Sequence, residues 1–285
     1  MTPAELHALL DPHGIRPIRG RSQHFLLDDA VVEAMVSAAG VEKNTHVLEI
    51  GPGPGILTEA LLKRGARVVA AELDLRLCVL LRQRFGDDER FTLREGDALA
   101  MSNAEIAALF GASGDYVLVA NLPYAITSAV IQKFLLEAPQ PREITVMIQK
   151  EVADRRLARA EKGAMGSLAV LAQTYATMER VIQVPKSAFY PPPRVESTVI
   201  KLTRRSDADL AAFFEGVRAE KYFSIIHAGF ASPRKQLRNT LRAVEKDEAR
   251  LLEALKKAEV DGSTRPERLT IEDWARLART LHRER

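Results

Sequence analysis

The sequence predicts an α/β fold: a largely parallel sheet covered by helices, followed by a separate all-helical C-terminal unit. Three observations carry this. From residue 45 to about residue 202, short β-rich runs alternate with helical stretches. The runs VLEI, RVVA and VLVA are continuously apolar, as strands buried on both faces of a parallel sheet must be. Beyond about Arg204 only helical periodicity remains. A chain of 285 residues has room for two domains, and the change of pattern places them at 1–204, with an N-terminal arm, and 205–285.

In chain order, the first strand is THVLEI (45–50), followed by a Gly/Pro loop and the amphipathic ILTEALLKRG. ARVVAAEL (66–73), the helical LRLCVLLRQRF, RFTLREGD (90–97) and YVLVANLP (116–123) come next, then a helix near 128–137 and EITVMIQ (143–149). SLAVLAQTYA reads as a helix. ERVIQVPKSAF and VESTVIKLTRR read as strands on either side of Pro191–Pro193, a triplet that has to lie in a turn or polyproline segment because proline cannot join a central ladder. The tail supplies five helical stretches: ADLAAFFEGVRAE, KYFSIIHAGF, PRKQLRNTLRAV, EARLLEALKKAEV and EDWARLARTL. Trp274 stands at helical spacing with Leu277 and Leu281, so it is expected in the core of that unit.

Composition narrows the function classes. Hydrophobic residues make up 46% of the chain, enough for a full core. No apolar run reaches the ~18–20 residues of a spanning helix, and the N-terminus lacks a signal-peptide layout. A cytoplasmic protein without a membrane partner is therefore expected. The single cysteine, Cys78, excludes a disulfide framework and a cysteine zinc cluster, and is expected to be buried and inert. The formal charge is +3, but it is unevenly placed: from Arg204 onward 18 Lys and Arg face 14 Asp and Glu, whereas the rest is almost neutral. Residues 221–244 hold five Lys or Arg and no acid, and Arg16, Arg19 and Arg21 form a second acid-free basic stretch. Such blocks suit phosphate-backbone contacts, and equally suit solvated helix faces.

The chemistry starts at VLEIGPGPGILTEAL. A strand enters Gly51-Pro52-Gly53-Pro54-Gly55 and a helix opens at once, a loop in which glycines let a cofactor approach bare backbone. Glu72 stands 21 residues after Gly51 at the end of the second strand, where an acid holds ribose hydroxyls. The spacing is G-x-G-x-G, not the dinucleotide G-x-G-x-x-G, and two prolines remove N–H donors that a pyrophosphate would use. This disfavours a nicotinamide dehydrogenase and points to S-adenosylmethionine, a nucleoside cofactor without phosphate. Asp97, at the end of the third strand, is positioned to accept from the exocyclic amine of adenine. Asn121-Leu122-Pro123-Tyr124 ends the fourth: the Asn121 side-chain carbonyl and the Leu122 backbone carbonyl can take both N–H bonds of a substrate adenine amine, Pro123 fixes the backbone, and Tyr124 offers a stacking face for a flipped base. No metal is required.

Together with SQHFLLDD, MIQKEVADRR, FYPPPRVEST and PRKQLRNTL, these segments resemble the KsgA-type ribosomal RNA adenine dimethylases across nearly the whole chain. The resemblance implies a Rossmann-like, class-I S-adenosylmethionine-dependent methyltransferase with a seven-stranded sheet whose last strand is antiparallel, and a small helical domain that helps hold the ribosomal subunit. It implies N6,N6-dimethylation of adenosines in 16S rRNA of the assembling 30S subunit by a monomer. Cofactor contacts fall on His24, Leu26, Gly51, Glu72, Asp97 and Asn121; the base site falls on Asn121, Leu122, Pro123 and Tyr124, with Phe189 as an aromatic sandwiching the base. Two departures stand out. Ser22 replaces the usual glycine of the N-terminal motif, as in macrolide-resistance methylases acting on large-subunit rRNA, and Pro233 replaces an arginine of the basic stretch. A resistance-type methylase is the nearest rival, and a non-catalytic ribosome-assembly factor the rival from another class.

Overall fold

The computed structural model describes residues 1–16, 24–111, 115–157, 165–232 and 234–282. Arg19, Arg21, Ser22 and Pro233, all singled out above, lie outside the described residues. The chain divides into two compact units, Met1–Ala153 with Met178–Arg204, and Asp154–Thr177 with Arg205–Arg285. No helix among the described residues is long and apolar enough to cross a membrane.

The first unit opens with α1 (Pro3–Leu10), where Thr2 and Glu5 form a reciprocal capping box and Pro3 takes the first helical position. β1 (Phe25–Leu26) follows, then α2 (Asp29–Ala38), whose N-cap Asp28 accepts from the Ala30 and Val31 N–H groups. The expected alternation comes next: β2 (His46–Ile50), α3 (Ile56–Lys63), β3 (Arg67–Glu72), α4 (Leu75–Phe85), β4 (Phe91–Glu95), α5 (Asn103–Ala108), β5 (Val117–Asn121), α6 (Thr127–Leu136) and β6 (Glu143–Gln149). After α7 (Lys150–Arg156) and α8 (Ser167–Tyr175) come β7 (Ala176–Val184), β8 (Phe189–Tyr190) and β9 (Ser197–Arg204). The Pro191–Pro193 triplet lies between β8 and β9, outside any strand.

Seven strands form one sheet in the order β4-β3-β2-β5-β6-β9-β7. β4, β3, β2, β5 and β6 run parallel, and β9 is antiparallel to β6. The fold is therefore the Rossmann-like α/β sheet of class-I methyltransferases, with its last strand reversed. Val47, Leu48, Val117, Leu118 and Val119 are fully buried, which is why these central strands read as unbroken apolar runs. From β2 the chain steps outward through β3 to β4, then returns to the other side of β2 with β5. The order reverses between β2 and β5, and ligands of open α/β sheets bind in the crevice at the carboxyl ends of such strands.

The second unit holds α8, α9 (Asp207–Phe214), α10 (Ala219–Phe230), α11 (Leu237–Thr240), α12 (Glu248–Lys257) and α13 (Ile271–His282). Trp274 is fully buried and clusters with Tyr222, Ile225, Ile226 and Leu277. Gly229 belongs there for a packing reason: a Cβ on it would lie 2.4 Å from the Trp274 ring. Residues 154–177, expected in the first domain, cluster with the helical unit. Met165 and Val170 enter its core, and the Thr174 hydroxyl lies 3.1 Å from that of Tyr222. α11 is also shorter than the periodicity of PRKQLRNTLRAV suggests. Its first N–H groups, on Leu237 and Arg238, donate to the loop carbonyls of Thr264 and Gly262, so the helix starts there.

Candidate active site at the carboxyl ends of β2 and β5

The glycine loop joins β2 to α3. Gly51, Gly53 and Gly55 have φ of 67°, 58° and 84°, the left-handed region that favours glycine. Gly55 is the N-cap of α3 and is doubly constrained: a Cβ there would lie 2.5 Å from the Phe85 ring and 3.0 Å from Leu81. It thus allows the loop to pack against α4, the task given to the third glycine in dinucleotide loops. Arg84 holds the outer edge by donating to the Pro54 carbonyl and, at 2.7 Å, to Glu59.

Glu72, at the end of β3, is 7% exposed. Its carboxylate accepts from the Gly53 N–H at 3.2 Å on one oxygen and from Leu73 and Asp74 N–H groups at 2.8 and 2.9 Å on the other. Burial raises its pKa above the ordinary value, against the lowering effect of these backbone donors. Cys78 is buried in α4, where its thiol donates to the Glu72 carbonyl.

At the end of β5, Leu122 is buried, Asn121 and Tyr124 are half-buried, and Pro123 is exposed. The Tyr124 hydroxyl lies 2.9 Å from that of Ser197 at the start of β9, fixing the ring. Among the described residues, neither the Asn121 side chain nor the Leu122 carbonyl is engaged in a hydrogen bond. Both acceptors that an amine would need are thus uncommitted.

The N-terminal arm and the segment before the Pro triplet meet in a short ladder. β1 pairs with β8, Phe25 opposite Tyr190 and Leu26 opposite Phe189. His24 Nδ1 donates to the Pro191 carbonyl at 2.7 Å, and its ring centroid lies 6.4 Å from that of Tyr124. Phe189 is 5% exposed and packs in the same core cluster as Leu26, Val184 and Val199, so most of its surface is committed to packing.

These parts enclose a cavity of about 570 Å³. His24, Leu26, Gly51, Glu72, Asn121, Leu122, Pro123, Tyr124 and Phe189 all line it. Asp97 does not. It is exposed at the end of β4, where one carboxylate oxygen accepts from the Leu99 N–H at 2.9 Å as an ordinary turn cap. The lining also includes residues that the sequence reading did not assign to the site, among them Leu73, Asp74 and Glu49. Leu73 is 71% exposed, an uncovered apolar side chain beside Glu72. Glu49 is 1% exposed and accepts from the Thr58 hydroxyl at 2.6 Å; burial pushes its pKa up to about 8, with repulsion from Glu72 adding to the rise. The signal was a charged residue inside the apolar run VLEI.

The lining contains three carboxyl groups, Glu49, Glu72 and Asp74, and no Lys or Arg. Burial keeps Glu49 protonated near neutral pH, so Glu72 and Asp74 are the carboxylates that disfavour a pyrophosphate there and favour a cationic sulfonium and an ammonium. The donor set therefore fits S-adenosylmethionine: Glu72 for ribose hydroxyls, bare loop backbone at Gly51 and Gly53, and apolar Leu73, Ile56 and Leu77 beside a ring. Among the described residues no group of three or more His, Cys, Asp or Glu is placed to hold a metal ion.

A family model described as ribosomal RNA adenine dimethylase matches residues 19–283. A protein named ribosomal RNA small subunit methyltransferase A from Dehalococcoides mccartyi is 37% identical over 275 residues, covering 96% of this chain and 91% of its own. One of the same name from Acaryochloris marina is 38% identical over 273 residues, covering 94% and 98%. Among solved structures, the fold is similar to a dimethyladenosine transferase from Plasmodium falciparum, with a TM-score of 0.73 at 24% identity over 89% of this chain and 96% of that one. It is also similar to the 23S rRNA methyltransferase ErmE, with a TM-score of 0.68 at 28% identity over 90% and 99%. With the family matched over almost its whole length, and its cavity built for a cationic nucleoside cofactor beside two free carbonyl acceptors, the chain belongs to the ribosomal RNA adenine dimethylase family.

Proposed function

We propose that the chain is an S-adenosylmethionine-dependent enzyme that dimethylates N6 of adenosines in small-subunit rRNA, acting as a cytoplasmic monomer on the assembling subunit. The observation that carries this reading is the pair of uncommitted carbonyl acceptors on Asn121 and Leu122, residues that line the same cavity as the glycine loop and Glu72. S-adenosylmethionine supplies the electrophilic methyl group. Asn121 and Leu122 accept the two N–H bonds of the adenine amine, drawing its nitrogen out of conjugation and pointing the lone pair toward the methyl. Tyr124, held by Ser197, stacks on the flipped base, and Phe189 closes the opposite wall by its packed edge. Glu72 orients the ribose. A monomethylated amine keeps one N–H, so one of the two acceptors still holds it for a second transfer. Asp97, at the end of β4, keeps one carboxylate oxygen uncommitted for the cofactor's adenine amine.

The small-subunit target is supported by the names of relatives at 37–38% identity, against 28% for the large-subunit enzyme. The Asn121→Ala variant tests the geometry: transfer should fall by roughly 100-fold or more with cofactor affinity kept. Near-wild-type transfer by that variant refutes it.

A further inference from the structure

The acidic cavity has no cation for the RNA backbone, so a base that enters it must leave its phosphates outside. A second cleft, of about 430 Å³, lies beside it and is lined by Gln149, Lys150, Glu151, Lys186, Arg194 and Glu196. Resting on the functional reading above, we propose that this cleft binds one phosphodiester of the RNA strand that presents the target adenine.

Position is the first argument. Lys186 and Arg194 bracket the segment that carries Phe189 and Pro191. Lys186 is three residues before Phe189, and Arg194 three after Pro191, whose carbonyl holds His24. Three residues of chain span at most about 10 Å. On the cleft's other side, Gln149 pairs with Ser197, the residue whose hydroxyl holds Tyr124. Lys150 N–H donates to the Glu196 carbonyl at 3.0 Å, tying the start of α7 to the same strand entry. The cleft thus shares its supports with the wall of the base site.

Charge is the second. Among the described residues, Lys186 and Arg194 are exposed and make no ion pair. By contrast Arg84, Arg90 and Arg142 of the same unit are paired, with Glu59, Asp88 and Asp115. Three cations and two carboxylates line the cleft, and Glu196 is occupied by the Gln183 amide at 2.8 Å. A net charge of +1 matches the single negative charge of a diester and not the two of a free phosphate. Phosphate contacts set register without reading sequence, so the cleft would fix the strand while Asn121 and Tyr124 select the base.

The test compares the wild type, Lys186→Ala/Arg194→Ala and a control, Lys43→Ala/Arg67→Ala, which removes the same charge from exposed positions at the amino ends of β2 and β3. Binding of unmethylated small-subunit RNA is measured across a KCl series. Loss of the contact to one phosphodiester of single-stranded RNA should flatten the log–log salt slope by about 0.7 and raise Kd several-fold near physiological salt. The control should match the wild type, and cofactor affinity should be the same in all three. Equal slopes and affinities in the cleft variant and the control overturn the proposal. Displacement of RNA from the wild type by inorganic phosphate, beyond the effect of KCl at matched ionic strength, overturns it too. Methyl transfer in the same samples reports separately: a steep wild-type slope without transfer defeats the functional reading alone, and transfer with an unflattened variant slope defeats the cleft alone.

Discussion

Replacing Glu49 by Gln should change how stability depends on pH. The carboxyl is buried at the end of β2 with the Thr58 hydroxyl as its hydrogen-bond partner, and burial moves its pKa from about 4.5 to about 8. A folded-state pKa above the unfolded value means that the native protein holds the extra proton. Its stabilising effect is complete below pH 4.5 and is lost as pH rises through 8. Across that interval stability falls by about 1.4 kcal/mol per pH unit, with a ceiling of about 5 kcal/mol. Between pH 6 and pH 9 the wild type should lose about 2–3 kcal/mol from this group. Glutamine keeps the acceptor for Thr58 and cannot ionise. The variant should therefore match the wild type near pH 6 and exceed it at pH 9. Urea unfolding at both pH values reads this as a midpoint difference that opens by about 1 M. Other titrating groups cancel between the two proteins. A midpoint difference constant from pH 6 to pH 9 would refute the assignment.

Three further outcomes follow from the packing and the site. Glu72→Gln keeps the shape of the side chain and removes its charge; cofactor affinity by calorimetry should fall roughly 10- to 100-fold, and an unchanged affinity contradicts the ribose role. Gly229→Ala drives a methyl into the Trp274 ring, so the helical unit should lose about 1–3 kcal/mol in denaturant unfolding; a variant as stable as the wild type would show that Trp274 has room to move. Ser197→Ala frees the Tyr124 hydroxyl, and kcat should fall several-fold with cofactor affinity unchanged and with recovery in Ser197→Thr; an unaltered kcat shows that Tyr124 needs no such anchor.

The sheet and the cofactor loop were legible because both rest on local signals. Strands such as VLEI and VLVA are buried on both faces and need no partner to be recognised. Gly51, Glu72 and Asn121 stand at strand ends, which the topology then gathers at one crevice. The β1–β8 ladder was not legible: two-residue strands carry no periodicity, and Phe25 and Tyr190 are far apart in sequence. Asp97 lies outside the cavity lining because an Asp after Gly also caps its own turn, which its neighbourhood in sequence does not distinguish from facing a ligand. Residues 154–177 were assigned by adjacency, whereas Val170 and Thr174 pack where their side chains are buried. α1 and α5 had capping boxes at Thr2 and Ser102, local signals present in the sequence and passed over.

The central claim is tested most directly by radiolabelled methyl transfer from S-adenosylmethionine to purified unmethylated small and large ribosomal subunits, with the labelled base mapped. The account predicts N6,N6-dimethyladenosine in small-subunit rRNA, abolished by Asn121→Ala. Label on the large subunit, or on neither, would contradict it.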